Sequence, residues 1–273
     1  MTSAAVETSI HPTALVDPHA KLASGVEIGP FAVIGPDVQI GPGSKIGPHV
    51  VIEGRVHMGA RNRIFPGACI GLEPQDLKYS GAPTEVVLGN DNTIRECVTI
   101  NRATADGEQT VLGSGNLLMA YCHVGHNCEL ADGIVVANSV AIAGHVVIGD
   151  RAVIGGVLGI HQFVHIGKLA MVGGMSRIDR DVPPFAIVEG HPGRLRGLNR
   201  IGLRRSGLSD RADGAELKQL QEVWNRLYRG DQVLVQALAR IRQDHLLPAA
   251  EELCSFLEAS ITAGRRGPLP HHR

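Results

Sequence analysis

Apolar side chains recur along this chain at every sixth position. The count runs from Ile10 through Val16, Leu22, Ile28, Ile34, Ile40, Ile46, Ile52, Met58 and Ile64 to Ile70. It resumes in phase at Leu88, Ile94 and Ile100, then continues from Leu112 to Ile178, with only Asp76, Ala82 and Asp106 breaking it. Neither the 3.6-residue period of a helix nor the two-residue period of a strand produces this spacing. Hexapeptide repeats do, and they wind into a parallel β-helix because one repeat alone cannot bury its apolar side chain. Three hexads make one coil, a triangle of short strands whose inward aliphatics stack on neighbouring coils at about 4.8 Å. The predicted fold is therefore mainly β, a parallel β-helix followed by a C-terminal α-helical domain. The repeat class implies a left-handed coil, against the usual right-handed crossover rule. A glycine often follows the aliphatic, as at Gly29, Gly35, Gly41, Gly47, Gly59 and Gly89. These glycines are expected at corners that need permissive backbone angles.

The pattern divides the chain into a hexapeptide-repeat region, residues 1–190, and a helical region, residues 191–273. The prism proper is expected over residues 8–182, ended by Pro183-Pro184. Residues 72–87 and 103–110 are polar insertions that keep the hexad phase, as loops budding from intact coils do, and loops on a rigid scaffold often carry function. From about Leu195 the period becomes helical. One helix is predicted through Leu217, Leu220, Trp224, Leu227 and Tyr228, with a cap at Ser209 and a stop at Gly230. A second follows Asp231 and a third begins near Pro248, while the tail RRGPLPHHR is expected to fray. A β-helix leaves strand edges at its ends and flat faces along its sides, and those faces favour association. Trimers are usual for the repeat class, with active sites between subunits.

Composition narrows the function classes. Hydrophobic residues make up 44 % of the chain and aromatics 3 %, which suits a narrow aliphatic prism and argues against an aromatic platform for single-stranded nucleic acid. A net charge of −1 gives no general attraction to polyanions. Cys69, Cys97, Cys122, Cys128 and Cys254 lack paired metal-ligand spacing and read as reduced and mostly buried. With no signal-like or membrane-spanning segment, a cytoplasmic location is expected.

The coil geometry then places chemistry. Residues 18 apart share a column, so His126, Gly144 and Gln162 are predicted to stack, with His145 beside them. An imidazole next to a backbone N–H with no side chain in the way is the arrangement of a general base beside an oxyanion donor. His123 and His161 lie close in sequence, and the first leaves zinc coordination with His126 open as a rival reading. No serine or cysteine has a recognisable nucleophile setting, so direct transfer is the simpler chemistry.

Several motifs together resemble the acyl-carrier-protein:UDP-N-acetylglucosamine O-acyltransferases. They are Gln75-Asp76-Leu77-Lys78-Tyr79, Asn116-Leu117-Leu118-Met119, His123-Val124-Gly125-His126, Gly144-His145, His161-Gln162-Phe163, Val172-Gly173-Gly174 and Asp181-Val182-Pro183-Pro184. The resemblance implies transfer of a 3-hydroxyacyl group from acyl carrier protein to the 3-hydroxyl of UDP-N-acetylglucosamine, the opening step of lipid A synthesis. It implies His126 as base and Gly144 as oxyanion donor. It further implies Asp76 and Lys78 contacting sugar and phosphate, Gln75 of the same loop binding substrate, and His123, His145, His161 and Gln162 lining the nucleotide-sugar and acyl site. Asn199 and Arg205 match positions that handle nucleotide or phosphopantetheine, and Gly174 matches an acyl-length ruler set for a long chain. The five arginines Arg194, Arg196, Arg200, Arg204 and Arg205 suit diphosphate or an acidic carrier. No further cofactor and no metal is implied.

Three departures stand out. Asn127 replaces the aspartate found beside the catalytic histidine in better-known members, so it orients the imidazole without supplying charge and leaves the base either weaker or reliant on another carboxylate. Asn101 stands in place of a common histidine, and Ser206 in place of a common arginine. Asn101 keeps open a sugar with a 3-amino group, acylated to an amide. Rival readings are a same-fold transferase using acetyl-CoA, the later N-acyltransferase of the pathway, a γ-type zinc carbonic anhydrase, or a scaffold without activity. The N-acyltransferase should carry a domain ahead of its hexads, and here the hexads begin at residue 10.

Overall fold

The computed structural model describes residues 7–271. Its prism has three faces, each a parallel sheet of strands mostly two residues long. The first face runs from Ser9–Ile10 to Ala186–Glu189, the second from Leu15–Val16 to Arg177–Ile178, and the third from Lys21–Leu22 to His165–Ile166. The sixth-position aliphatics pair in register across coils: Ile28 with Ile46, Ile46 with Ile64, Ile64 with Ile94 and Ile94 with Leu118. All are buried. The residue two positions earlier also points inward, so Val26, Ala32, Val38, Val50 and Ala68 complete the filling, as do Cys122 and Cys128. At one corner that second position is polar. Asn62, Asn92 and Asn116 form a buried ladder in which each Oδ1 accepts a backbone N–H from the next coil at 2.7–2.9 Å. Each Nδ2 donates to a corner carbonyl, so burial leaves none of these amides unpaired.

The glycines that follow the aliphatics serve a different purpose from the one expected. Gly41, Gly59 and Gly89 do not have positive φ. A Cβ on Gly41 would instead sit 2.5 Å from the Gly59 carbonyl carbon, and one on Gly89 2.7 Å from that of Gly113. Close stacking of coils selects glycine there. The left-handed corner is two residues further on and is taken mostly by ordinary side chains, among them Phe31, Arg61, Tyr121, Asn127, His145 and Val157, and elsewhere by glycines such as Gly43.

Both insertions are whole numbers of hexads. Arg63 pairs with Thr93, 30 residues on instead of 18, so 12 residues leave the coil. Thr93 pairs with Leu117, 24 on, so 6 leave. Phase survives for that reason.

The carboxy end departs from expectation in two places. The first face continues past Pro183-Pro184 into Ala186–Glu189, against which Arg194–Leu198 lies antiparallel, where a helical pattern was expected from Leu195. The tail is docked over its described residues, with Leu269 buried and Leu195 N–H donating to Pro270 O at 3.1 Å, and His272 and Arg273 lie outside the described residues. Asp181 secures it: its carboxylate accepts from Ser260 Oγ at 2.6 Å and from Arg265 at 2.8 Å. Among the described residues four α-helices follow the prism, α1 (Arg200–Arg205), α2 (Ala215–Tyr228), α3 (Leu234–Ile241) and α4 (Pro248–Ser260), with a 3₁₀ segment, Leu208–Gly214, between the first two. The last three match the predicted helices, except that α2 starts after Gly214, not at Ser209. Leu220, Trp224, Leu227, Leu238, Ile241, Leu253 and Leu257 form their shared core. Glu216 and Gln219 of α2 accept the N–H groups of Ala249 and Leu247 and so cap α4.

Candidate active site

The predicted column exists. His145 N–H donates to His126 O at 2.9 Å and Phe163 N–H to Gly144 O at 3.2 Å, which stacks the three corners in order. A Cβ on Gly144 would lie 2.4 Å from His126 Nε2, so only glycine leaves the imidazole its place. Neighbouring amides are spent on the ladder, Ala143 N–H on Ile160 O and His145 N–H on His126 O, whereas Gly144 N–H has no acceptor among the described residues. An unspent donor thus stands beside Nε2.

The other face of the ring settles its tautomer. His126 Nδ1 is 2.9 Å from Asn127 Oδ1 and 3.0 Å from Thr104 Oγ1. Thr104 Oγ1 gives its own hydrogen to Asp76 Oδ2 at 3.3 Å, so both oxygens accept from Nδ1. The ring proton therefore sits on Nδ1, and Nε2 carries the lone pair. Asp76 Oδ2 is 3.8 Å from Nε2, near enough to stabilise an imidazolium once it forms. The Lys78 N–H above all holds the Asp76 carboxyl below the usual range. His145 meets the His126 ring edge-on with centroids 5.1 Å apart and stacks on Phe163 at 4.7 Å. Burial lowers the pKa of His145 and of His123.

His126 and Gly144 line a cleft of about 530 Å³ on the second face, together with Gln75, Asn101, His123, His161 and Gln162. A larger groove near Lys45 and Phe65, on the amino-terminal coils, holds none of these groups. His123 Nδ1 is fixed by Thr99 Oγ1 at 2.8 Å, and His161 donates from Nδ1 to Gln162 O at 2.9 Å. Asn101 lines the cleft with its Oδ1 buried and without a partner, while its Nδ2 donates to Glu73 O. The 72–87 loop is pinned by Arg102, which reaches Gly71 O at 2.9 Å and Tyr79 Oη at 2.8 Å. That pinning carries Gln75 and Asp76 to the cleft; Lys78 stays exposed on the loop.

Six predicted residues lie outside the cleft lining: Asp76 and His145, which stand against His126, the exposed Lys78, and Gly174, Asn199 and Arg205. Gly174 is on the corner between the first and second faces. Asn199 is buried as the cap of α1, with Oδ1 accepting from Gly202 N and Nδ2 donating to Leu169 O. Arg205, at the end of α1, is exposed. Cys122 and Cys128 donate their thiol hydrogens to core carbonyls, and burial pushes the Cys128 pKa up to about 12, which suits packing and not nucleophilic attack.

Comparison with known proteins identifies the family. Residues 181–268 match the model described as Udp N-acetylglucosamine O-acyltransferase; Domain 2, and residues 19–54 match the bacterial transferase hexapeptide. The acyl-[acyl-carrier-protein]–UDP-N-acetylglucosamine O-acyltransferase of Verminephrobacter eiseniae is 47 % identical over 95 % of this chain and 98 % of its own. That of Synechocystis is 54 % identical over 76 % of this chain and 74 % of its own. This chain belongs to that acyltransferase family. Among solved structures, LpxA from Acinetobacter baumannii superposes with a TM-score of 0.89 at 41 % identity, covering 95 % of this chain and 99 % of that one. The UDP-N-acetylglucosamine O-acyltransferase of Moraxella catarrhalis gives 0.86 at 37 %, covering 95 % and 99 %. The chain is accordingly an acyltransferase.

Two contacts of this acyltransferase site escaped the sequence reading. Thr104 and Glu108 both come from the 103–110 insertion, and Glu108 Oε2 accepts from Asn127 Nδ2 at 2.7 Å. The broken hexad at Asp106 was the available signal. It marks a loop leaving the coil just before the one that carries His126. Among the described residues no three His, Cys, Asp or Glu side chains converge as a metal site.

Proposed function

We propose that this acyltransferase moves a (3R)-3-hydroxyacyl group from the phosphopantetheine thioester of acyl carrier protein to the 3-hydroxyl of UDP-N-acetylglucosamine, the first step of lipid A synthesis. The observation that carries this reading is the unprotonated His126 Nε2 facing the unspent Gly144 N–H. Nε2 takes the hydroxyl proton as the sugar oxygen attacks the thioester carbon. The carbonyl oxygen becomes an oxyanion, accepting from Gly144 N–H, and Asp76 stabilises the imidazolium. Collapse breaks the C–S bond, and the thiolate leaves with the proton held on Nε2. No covalent enzyme intermediate is needed. Gln75, His123, His145, His161 and Gln162 position the sugar and acyl groups; Lys78, Asn199 and Arg205 belong to the nucleotide and carrier ends, and Gly174 to the acyl groove. The acyl carrier protein is the donor's only prosthetic-group source, and the enzyme acts in the cytoplasm as a homotrimer whose second subunit closes the open cleft.

Asn101, lining the cleft where a histidine is common in the family, keeps a second acceptor open, a sugar whose 3-amino group is acylated to an amide. The test is incubation with either UDP-sugar and a mixed set of 3-hydroxyacyl carrier proteins, read by mass spectrometry. An acylated nucleotide sugar identifies acceptor and chain length together; use of acetyl-CoA alone refutes the proposal. His126→Ala is expected to lower kcat by about a hundredfold or more, and near-normal turnover would remove the base from the mechanism.

A further inference from the structure

We propose that Glu108 is a positioning residue for His126, acting through Asn127: its carboxylate fixes the Asn127 amide with Oδ1 toward the imidazole and keeps the base in its working tautomer. The inference rests on His126 being the general base.

A carboxamide has two orientations of nearly equal shape, and only its partners choose between them. Facing Nδ1 with its oxygen, Asn127 makes Nδ1 the protonated nitrogen. Facing it with NH₂, Asn127 would force the lone pair onto Nδ1 and the proton onto Nε2, leaving no base in the cleft. Glu108 decides the matter. A carboxylate accepts only, so its Oε2, 2.7 Å from the amide nitrogen, requires the NH₂ on its side. Thr104 N–H adds a second vote by donating to Asn127 Oδ1 at 3.2 Å. The Asn127 backbone is itself held in a left-handed turn at φ 60°, its N–H on Thr110 Oγ1 at 2.8 Å. Glu108 is anchored in turn by Ala105 N–H at 3.0 Å. That bond first, and the Asn127 amide second, hold its carboxyl below the usual range, so it is ionised at neutral pH. The negative charge that an aspartate at 127 would place against the imidazole is therefore present here one side chain further out. The other charged or titratable groups facing His126 are Asp76 at 3.8 Å, the ring of His145 edge-on, His123 on the preceding strand and Lys78 on the 72–87 loop. None of these touches the Asn127 amide.

The experiment uses the full-length enzyme and its Glu108→Ala, Glu108→Gln and Glu108→Gln/Asn127→Asp variants. Two readouts are taken: the ¹⁵N imidazole signals of His126, assigned with His126→Ala, and the pH profile of kcat/KM. Wild type should show a single tautomer protonated on Nδ1. Glu108→Ala should mix the tautomers and lower kcat about tenfold, part of the factor a general base contributes, with little change in KM. Glu108→Gln keeps the contact but removes the charge, so the acid limb of the profile should move to lower pH. The double variant exchanges carboxylate and amide across the same contact, and kcat should return to within about threefold of wild type. Unchanged tautomer and profile in Glu108→Ala, or no rescue in the exchanged pair, overturns the proposal. Thermal melts confirm folding in each variant. If His126→Ala keeps its turnover while Glu108→Ala still mixes the tautomers, the base assignment fails and the hold of Glu108 on the ring stands.

Discussion

At the scale of single residues, two glycines are expected to behave differently under substitution. Gly144→Ala keeps the backbone N–H but puts a Cβ where the His126 ring now lies, 2.4 Å from Nε2. The ring must turn away from both the donor and Asn127, so kcat should fall about a hundredfold with thermal stability near wild type; steady-state kinetics beside a melting curve check this. At Gly174 the nearest atom to an added Cβ is Gly156 O at 3.2 Å, and the corner otherwise opens outward. Gly174→Met should therefore fold and shift preference toward shorter acyl chains, and an unchanged chain profile counts against its role as the ruler. The column that joins Gly144 to His126 was legible before any coordinates, since a period of 18 says which residues stack. The bond from Asn127 to Glu108 was not. It crosses from an insertion to a coil, and no repeat encodes where a loop side chain returns.

At the scale of elements, the hexad pattern located nearly every strand of the prism because a single inward residue per strand sets its register. It mistook the strand Arg194–Leu198 for the start of a helix. Arginine and leucine alternate too briefly there to show a period, and the decisive contact is the neighbouring strand Ala186–Glu189. The tail was misjudged for a related reason. Its composition is that of a loose end, yet Asp181, 3 % exposed, binds Arg265 and Ser260 and also accepts from His165 N–H at 2.8 Å. Asp181→Ala leaves that guanidinium and hydroxyl without their acceptor. A loss of about 3 kcal/mol is expected, the lower end for breaking a buried pair because Arg265 keeps some hydration. Urea unfolding checks the magnitude, and faster proteolysis after residue 260 in the folded variant checks the place.

At the scale of the whole molecule, stability should depend on pH through histidines that the fold keeps neutral. Burial holds His123, His145 and His165 below the ordinary histidine value. The unfolded chain titrates them near about pH 6.5, so at and below that value it binds protons the native state refuses. Stability is then full above about pH 7 and falls as pH drops through the sixes. Glu252, whose pKa burial raises, acts in the opposite sense, one group against three. Tm should accordingly be lower at pH 5.5 than at 7.5, and a flat or rising Tm on acidification would contradict the assignment. The closing strand has a consequence of another kind. Every coil is a template for the next, since its edge offers the same backbone groups that the following coil uses. Without a stop, two such prisms could add end to end as a fibre grows. Arg194–Leu198 runs against the stacking direction and hands its outer edge to the chain's own tail, so that at the carboxy end the template has no copy to make. The same short strand that sequence periodicity overlooked thus ends the self-propagating stack on the first of its three faces.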